Sequence, residues 1–164
     1  MKIGFNMLLW TTNLVEDEFH LLEKIKNVGY DGVEIPIFGG EEKVEHFQNI
    51  GKALKDNGLE CTSVTVIPDE SRSPISDDAN VRANALEYLK WSMDCSHALG
   101  SEVLAGPYHQ PLGVFSGEPP TQKEKDNAAR VHQDAADYAL NINLELSIEP
   151  LNRFECYFLN IAQD

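Results

Sequence analysis

The sequence predicts an α/β protein, a parallel (β/α) barrel represented by its first five βα units. Three observations carry that prediction. Short apolar runs alternate with longer segments of helical periodicity along the whole chain. Helices are closed by glycine and followed at once by a strand, as at Gly29 before Val33, Gly58 before Glu60 and Gly100 before Glu102. The segments that leave the strands are longer than these returns. Short αβ turns at one end and long βα loops at the other describe a barrel, whose reactive groups lie on the long-loop side.

Taken in order, Lys2–Leu9 is a compact apolar run and reads as the first strand. Val15–Val28 places Phe19, Leu22, Ile25 and Val28 at helical spacing. Val33–Phe38 is the second strand, closed by Gly39-Gly40, and Val44, Phe47, Ile50 and Leu54 mark the second helix. Glu60–Ile67 is rich in Val, Ile and Thr and reads as the third strand, followed by a polar loop from Pro68 to Asp78. Asn80–Leu99 is a long third helix and Glu102–Pro107 the fourth strand. The prolines and glycines of Tyr108–Pro120 suggest a surface excursion before a fourth helix from Thr121 to about Leu140. Leu144–Pro150 is the fifth strand, and Phe158–Asp164 is expected to open a fifth helix. No G-x-G-x-x-G follows the first strand, so a dinucleotide-binding arrangement has little support.

A closed barrel needs eight strands and usually ~250 residues. The 164 residues supply five strands. Residues 1–164 are therefore expected to be the N-terminal part of one barrel domain. Its two open sheet edges would be covered by a later segment, a partner or a second copy.

Composition narrows the functional classes. A hydrophobic share of 42% and a charged share of 24% are those of a folded, soluble chain. With 27 acidic against 13 basic residues, the net charge of −14 opposes nucleic-acid binding. A phosphorylated small molecule is not excluded, because it needs only a local Lys or Arg. Cys61, Cys95 and Cys156 are far apart and form no C-x-x-C pair, which fits free thiols in a reducing cytoplasm. Met1–Trp10 is too short for a secretory h-region, and no stretch approaches a membrane span. No leader is expected, which argues against a periplasmic sugar-binding protein.

The most informative motif is Glu149-Pro150-Leu151-Asn152-Arg153-Phe154-Glu155, which follows the fifth strand. It sets a carboxylate where a buried strand meets a polar turn, with rigid backbone below and solvent above. Such a group can ligate a divalent cation or take a proton from a carbon beside a carbonyl. Pro150 cannot donate a sheet hydrogen bond, so the ladder ends near it. Asn152 and Arg153 are placed to lock the turn, and Glu155 to project into the same mouth. A plainer role for Glu149, closing the strand and pairing with Arg153, fits the spacing equally well. Nucleophilic catalysis has little support, since there is no G-x-S-x-G and no Cys beside a His in a recognisable motif.

The segment LSIEPLNRFECYFLN resembles the fifth-strand signature of the sugar phosphate isomerase/epimerase family, which has the xylose isomerase-like barrel. Its ketose 3-epimerase branch, of tagatose or psicose type, is the best match. The resemblance runs through KIGFNMLLW, GYDGVEIP and LGSEVLAGP and so spans the chain, but only the E-P-L-N-R-F-E run is specific.

The resemblance implies a (β/α)8 barrel of the xylose isomerase-like type, here its first five βα units. It implies a metal-dependent isomerase or epimerase that moves a proton through an enediolate on a sugar or sugar phosphate, in a homo-oligomer. Glu149 is then both an acid/base group and the first ligand of a divalent ion, Mn²⁺ foremost, with Co²⁺ or Mg²⁺ as alternatives. Glu155 would hold the substrate's terminal hydroxyls, and Glu34 would line the mouth. Val64 and Pro107 correspond to substrate-wall positions, although apolar strand residues are usually core. Asn6 stands where the epimerases usually have an aromatic ring, a departure that leaves the sugar open. His109, at the exit of the fourth strand, could meet substrate or metal, or simply be solvated. Trp10 fits core packing as well as a sugar platform. His20, His46, His97 and His132 fall in helices outside the barrel.

The remaining family ligands, an Asp, a His and a second Glu, come from later strands. A 164-residue polypeptide is therefore expected to be inactive alone. The endonuclease IV type of the same fold needs histidines at the third and fourth strand tips. The third strand here has none, and the charge opposes DNA. The competing reading, from a different class, is a partial barrel that serves as a binding or assembly module.

Overall fold

Five strands pair in chain order into one parallel sheet: β1 (Gly4–Asn6), β2 (Gly32–Pro36), β3 (Glu60–Val64), β4 (Val103–Gly106) and β5 (Glu145–Ile148). Each strand but the last is followed by a helix: α1 (His20–Val28), α2 (Val44–Asp56), α3 (Ala79–Leu99) and α4 (Gln122–Asn141). The computed structural model describes all residues, 1–164. The βα succession read from the sequence is the one observed.

Strand alternation sorts the side chains. Val33, Ile35 and Ile37 are 2%, 0% and 0% exposed and pack with Leu22, Ile25, Phe47, Ile50 and Leu54 on the helical side. The residues between them face the opposite, concave side. In-register pairing lines those residues into rows. Asn6, Glu34 and Thr62 form one row, and Pro36, Val64, Ala105 and Ser147 the next.

Helix α3 meets the sheet through polar as well as apolar groups. The Ser63 and Ser96 hydroxyls are 2.6 Å apart, and Ser63 also donates to the Val103 carbonyl at 2.9 Å. The Thr65 hydroxyl donates to the Ile37 carbonyl at 2.8 Å and lies 3.1 Å from the Tyr88 hydroxyl. All of these groups are buried and satisfied, so the interface stays close without an unpaired polar atom. Helices α2 and α3 also approach closely, because a Cβ at Gly51 would lie 2.3 Å from the Leu99 carbonyl oxygen.

Several boundaries differ from the sequence-based expectation for identifiable reasons. The first strand is three residues, not Lys2–Leu9, because the Asn6 side chain accepts the Leu8 N–H at 2.8 Å and winds Met7–Leu9 into a 3₁₀ turn. The first α-helix starts at His20, since the Glu18 carboxylate accepts the Val15 N–H at 3.2 Å and closes a tighter 3₁₀ turn over Glu16–Glu18. Helix α3 is capped by Asp78, whose carboxylate accepts from Asn80 N–H at 2.8 Å. Helix α4 begins with a Thr121–Glu124 capping box.

Two expectations are corrected. Tyr108–Pro120 is not wholly a surface excursion, for Tyr108, His109 and Gln110 are 1%, 1% and 0% exposed. They are folded under the segment that follows β5, and the solvent-facing part is the tip around Leu112–Pro119. Phe158–Asp164 forms turns rather than a helix. Phe158 is instead buried against Ile75 and Ala128, and the Asp164 carboxylate accepts from the Asn160 and Ile161 amides at 2.8 and 3.0 Å.

Replacing Gly51 by Ala tests the α2–α3 approach. Intrinsic propensity favours Ala inside a helix by ~1 kcal/mol. The contact with the Leu99 carbonyl should reverse that preference and destabilise the fold by about 2 kcal/mol. A lowered midpoint in urea unfolding would show it; an unchanged or raised midpoint would not fit the packing described.

Candidate active site

Glu149 is the first residue beyond β5. Its N–H donates to the Gly106 carbonyl at 3.0 Å, which extends the β4–β5 ladder by one bond. Alternation puts its side chain on the concave face with Ser147, and the residue is exposed. Gly106 also lets β4 approach the end of β3 closely. Its φ is 131°, and a Cβ there would sit 2.1 Å from the Thr65 carbonyl oxygen. The carboxylate that the sequence singles out is thus carried by a strand tip whose backbone is fixed on its β4 side.

The turn beyond it is held mainly by Asn152. The Asn152 carbonyl group of the side chain accepts from Phe154 N–H at 2.9 Å, and its amide donates to the Glu155 carboxylate. Asn152 therefore locks the turn as expected. Arg153 makes no side-chain hydrogen bond and no ion pair with Glu149, so the plainer role of a Glu149–Arg153 pair is not realised. Asn160 donates to the Leu151 carbonyl at 2.7 Å, and the Leu151 N–H donates to the Leu159 carbonyl at 3.1 Å, which closes the loop on itself. At its tip Phe154 is 93% exposed.

Glu34 lies lower on the same concave face. Asn6 donates to its Oε1 at 2.7 Å and the Thr62 hydroxyl to its Oε2 at 3.2 Å. These residues border a cavity of about 300 Å³ on the inner side of β1–β3. The structure thus joins Asn6 and Glu34, and adds Thr62, which the sequence reading passed over. Its signal was available only through register, since Thr62 stands opposite Glu34 in the β2–β3 pairing. Val64 is 6% exposed and belongs to the next row. Pro107 is buried beyond the end of β4. Trp10 is half-exposed, with its ring 4.4 Å from that of Phe5 and the Lys24 ammonium 5.7 Å from its centre.

Residues 22–164 match the xylose isomerase-like TIM barrel family. The chain belongs to that family. A protein of Synechocystis sp. named "Probable ketose 3-epimerase" is 27% identical over 99% of this chain and 56% of its own length. The D-psicose 3-epimerase of Agrobacterium fabrum is 29% identical over 100% of this chain and 57% of its own. A solved L-ribulose 3-epimerase superposes on 99% of this chain and 54% of its own with a TM-score of 0.88, at 24% identity. The chain spans about half the length of the curated relatives it matches.

The xylose isomerase-like barrel accounts for the sheet order and for the position of Glu149 at a strand's C-terminal end. It does not make every expected contact on these residues alone. His109 does not lie on the open concave face; it is 1% exposed and its ring lies 6.1 Å from that of Phe158. Neither ring nitrogen of His109 or His132 has a hydrogen-bond partner in the protein, and nor does the Tyr108 hydroxyl. His20 and His97 are exposed, and His46 is half-buried beside Asn13. No three His, Cys, Asp or Glu side chains converge, so Glu149 has no co-ligands here and these residues alone do not fit a divalent ion. Burial lifts the thiols of Cys61 and Cys95 to about 11 and about 12, which argues against either as a nucleophile.

Burial also depresses both inner imidazoles to about 4. In His132 the neighbouring His109 adds to the shift. Each is neutral in the fold, whereas an unfolded imidazole protonates near ~6.5. Between those values the unfolded chain binds more protons, so their contribution is intact above about pH 6.5 and is lost as pH falls toward 4. Urea unfolding between pH 7 and 4.5 should show this fall, and replacing both residues by Gln should flatten it. A fall that the double variant keeps in full would assign the acid sensitivity to carboxylates instead.

Proposed function

We propose that the protein containing this chain is a ketose 3-epimerase acting on a small sugar or sugar phosphate. The observation that carries the reading is the placement of Glu149. It is an exposed carboxylate on the concave face at the tip of β5, in a chain whose matched relatives bear the names of 3-epimerases.

The chemistry follows from what such a carboxylate can do. The hydrogen on C3 of a ketose is adjacent to the C2 carbonyl, so its loss gives an enediolate. Glu149 would take that proton on one face of the sugar. Return of a proton to the other face, from a second acid, inverts C3. A fixed backbone beneath Glu149 holds the base within reach of one hydrogen rather than several. Glu155, oriented by Asn152, would receive the terminal hydroxyls, and the Glu34 row offers further acceptors to sugar hydroxyls. A divalent ion such as Mn²⁺, Co²⁺ or Mg²⁺ belongs to the same reading, with Glu149 as one ligand. Its other ligands are not among these residues. The reading includes a cytoplasmic homo-oligomer. No helix is long and apolar enough to cross a membrane.

A second reading rests on the unpaired outer edges of β1 and β5. In it these 164 residues act as a binding or assembly module whose edges a partner or a second copy covers.

The full-length protein should epimerise ketohexoses or ketopentoses at C3 and exchange a C3 deuterium with solvent. Replacing Glu149 by Gln should lower kcat by ~10³-fold or more. Retained turnover in that variant would remove Glu149 from the mechanism, and absence of C3 exchange across phosphorylated and unphosphorylated ketoses would remove the epimerase reading. A polypeptide of residues 1–164 should be inactive and show no stoichiometric Mn²⁺ binding by calorimetry; tight binding would mean that ligands other than those described assemble. Sedimentation of the same polypeptide tests the second-copy form of the second reading, which requires self-association through the sheet edges.

A further inference from the structure

Gln110 is wholly buried and sits between the two loops that leave β4 and β5. Its amide NH₂ donates to the Pro111 and Val114 carbonyls, both at 3.0 Å. Its carbonyl oxygen accepts from Tyr157 N–H at 3.2 Å and Phe158 N–H at 2.8 Å. Two donors and two acceptor sites are the whole capacity of a carboxamide, and all are used. The two carbonyls on one side and two N–H groups on the other also dictate which way the amide faces.

Other bonds tie the same loops. The Gly113 N–H donates to the Glu155 carbonyl at 2.9 Å. The Tyr157 hydroxyl donates to Glu124 Oε1 at 2.6 Å, while the other oxygen of Glu124 closes the cap of α4. Gln110 is the only one of these that grips both loops from inside. Glu155 lies two residues before the first amide it holds. Glu149 is secured differently, by its own ladder bond to Gly106.

We propose that Gln110 is a positioning residue for substrate binding: it fixes the loop that carries Glu155, independently of the strand tip that carries Glu149. The inference rests on the epimerase reading for its substrate, but not for its mechanics. A loosened clamp should disturb the hold on the far end of the sugar and leave proton transfer at C3 largely intact. Loss of binding common to ground and transition states raises KM with kcat unchanged.

The test compares wild-type full-length protein with Gln110→Met, which keeps the volume and removes every polar atom, and Gln110→Glu, which keeps acceptors for the Tyr157 and Phe158 amides. Gln110→Met should raise KM for the ketose about tenfold while kcat stays within about threefold. Hydrogen exchange should accelerate at Tyr157 and Phe158 and not at the Glu149 amide. Gln110→Glu should raise KM no less than Gln110→Met, because a carboxylate oxygen would replace the donor that faces the Pro111 and Val114 carbonyls. A merely structural role would instead lower the active fraction, seen as reduced kcat at constant KM, and that pattern would overturn the proposal. So would unchanged exchange at Tyr157 and Phe158 in a folded Gln110→Met protein. If wild type turns over no ketose, the epimerase reading fails by itself. The clamp is then judged by exchange alone: acceleration confined to residues 151–160 upholds it, and uniform acceleration rejects it.

Discussion

In-register parallel pairing of five short strands is the constraint on which the other features depend. Once Gly32 stands beside Gly4 and Glu60, alternation leaves Val33, Ile35 and Ile37 to the helices and Glu34 to the concave side. A slip of one residue in β2 would turn those three buried side chains toward solvent and push a carboxylate into the core, which register errors cannot survive. The rows of Asn6, Glu34 and Thr62, and of Pro36, Val64, Ala105 and Ser147, are consequences of that pairing rather than separate designs.

The same pairing links the core to Glu149. Thr65 spans the two, since its hydroxyl bonds the Ile37 carbonyl among the buried groups while its N–H donates to Ala105 at 3.0 Å. Its carbonyl faces Gly106, the residue whose own carbonyl receives Glu149. A chain of main-chain contacts thus runs from β2 to the tip of β5, with one glycine at the closest approach. Precision at the carboxylate comes from rigid strands, and adaptability is left to the loops beyond.

Much of this was legible in the sequence because it is local. Gly29, Gly58 and Gly100 marked helix ends, Thr121 stood at the start of α4, and Glu149 followed by Pro150 located the strand tip. What escaped depends on residues far apart in the chain. The shortening of β1 follows from the turn of one side chain, Asn6, onto Leu8. Tyr108–Pro111 carries loop-like prolines nearby, yet is buried because Tyr157 and Phe158 close over it. His109 looked like a mouth residue for the same reason, and only the position of Phe158 shows otherwise. Thr62 has no signature of its own; it meets Glu34 because register brings two strands level.

All four bonds made by Gln110 end on main-chain atoms. Gln110 itself therefore reads only main-chain atoms, while the Phe158 side chain, buried against Ile75 and Ala128, and the Tyr157 hydroxyl on Glu124 hold those amides in place from the far side. The two loops are thus set against each other by backbone-directed bonds at one buried carboxamide, which leaves the exposed Leu112–Pro119 tip without a part in that contact beyond the Val114 carbonyl.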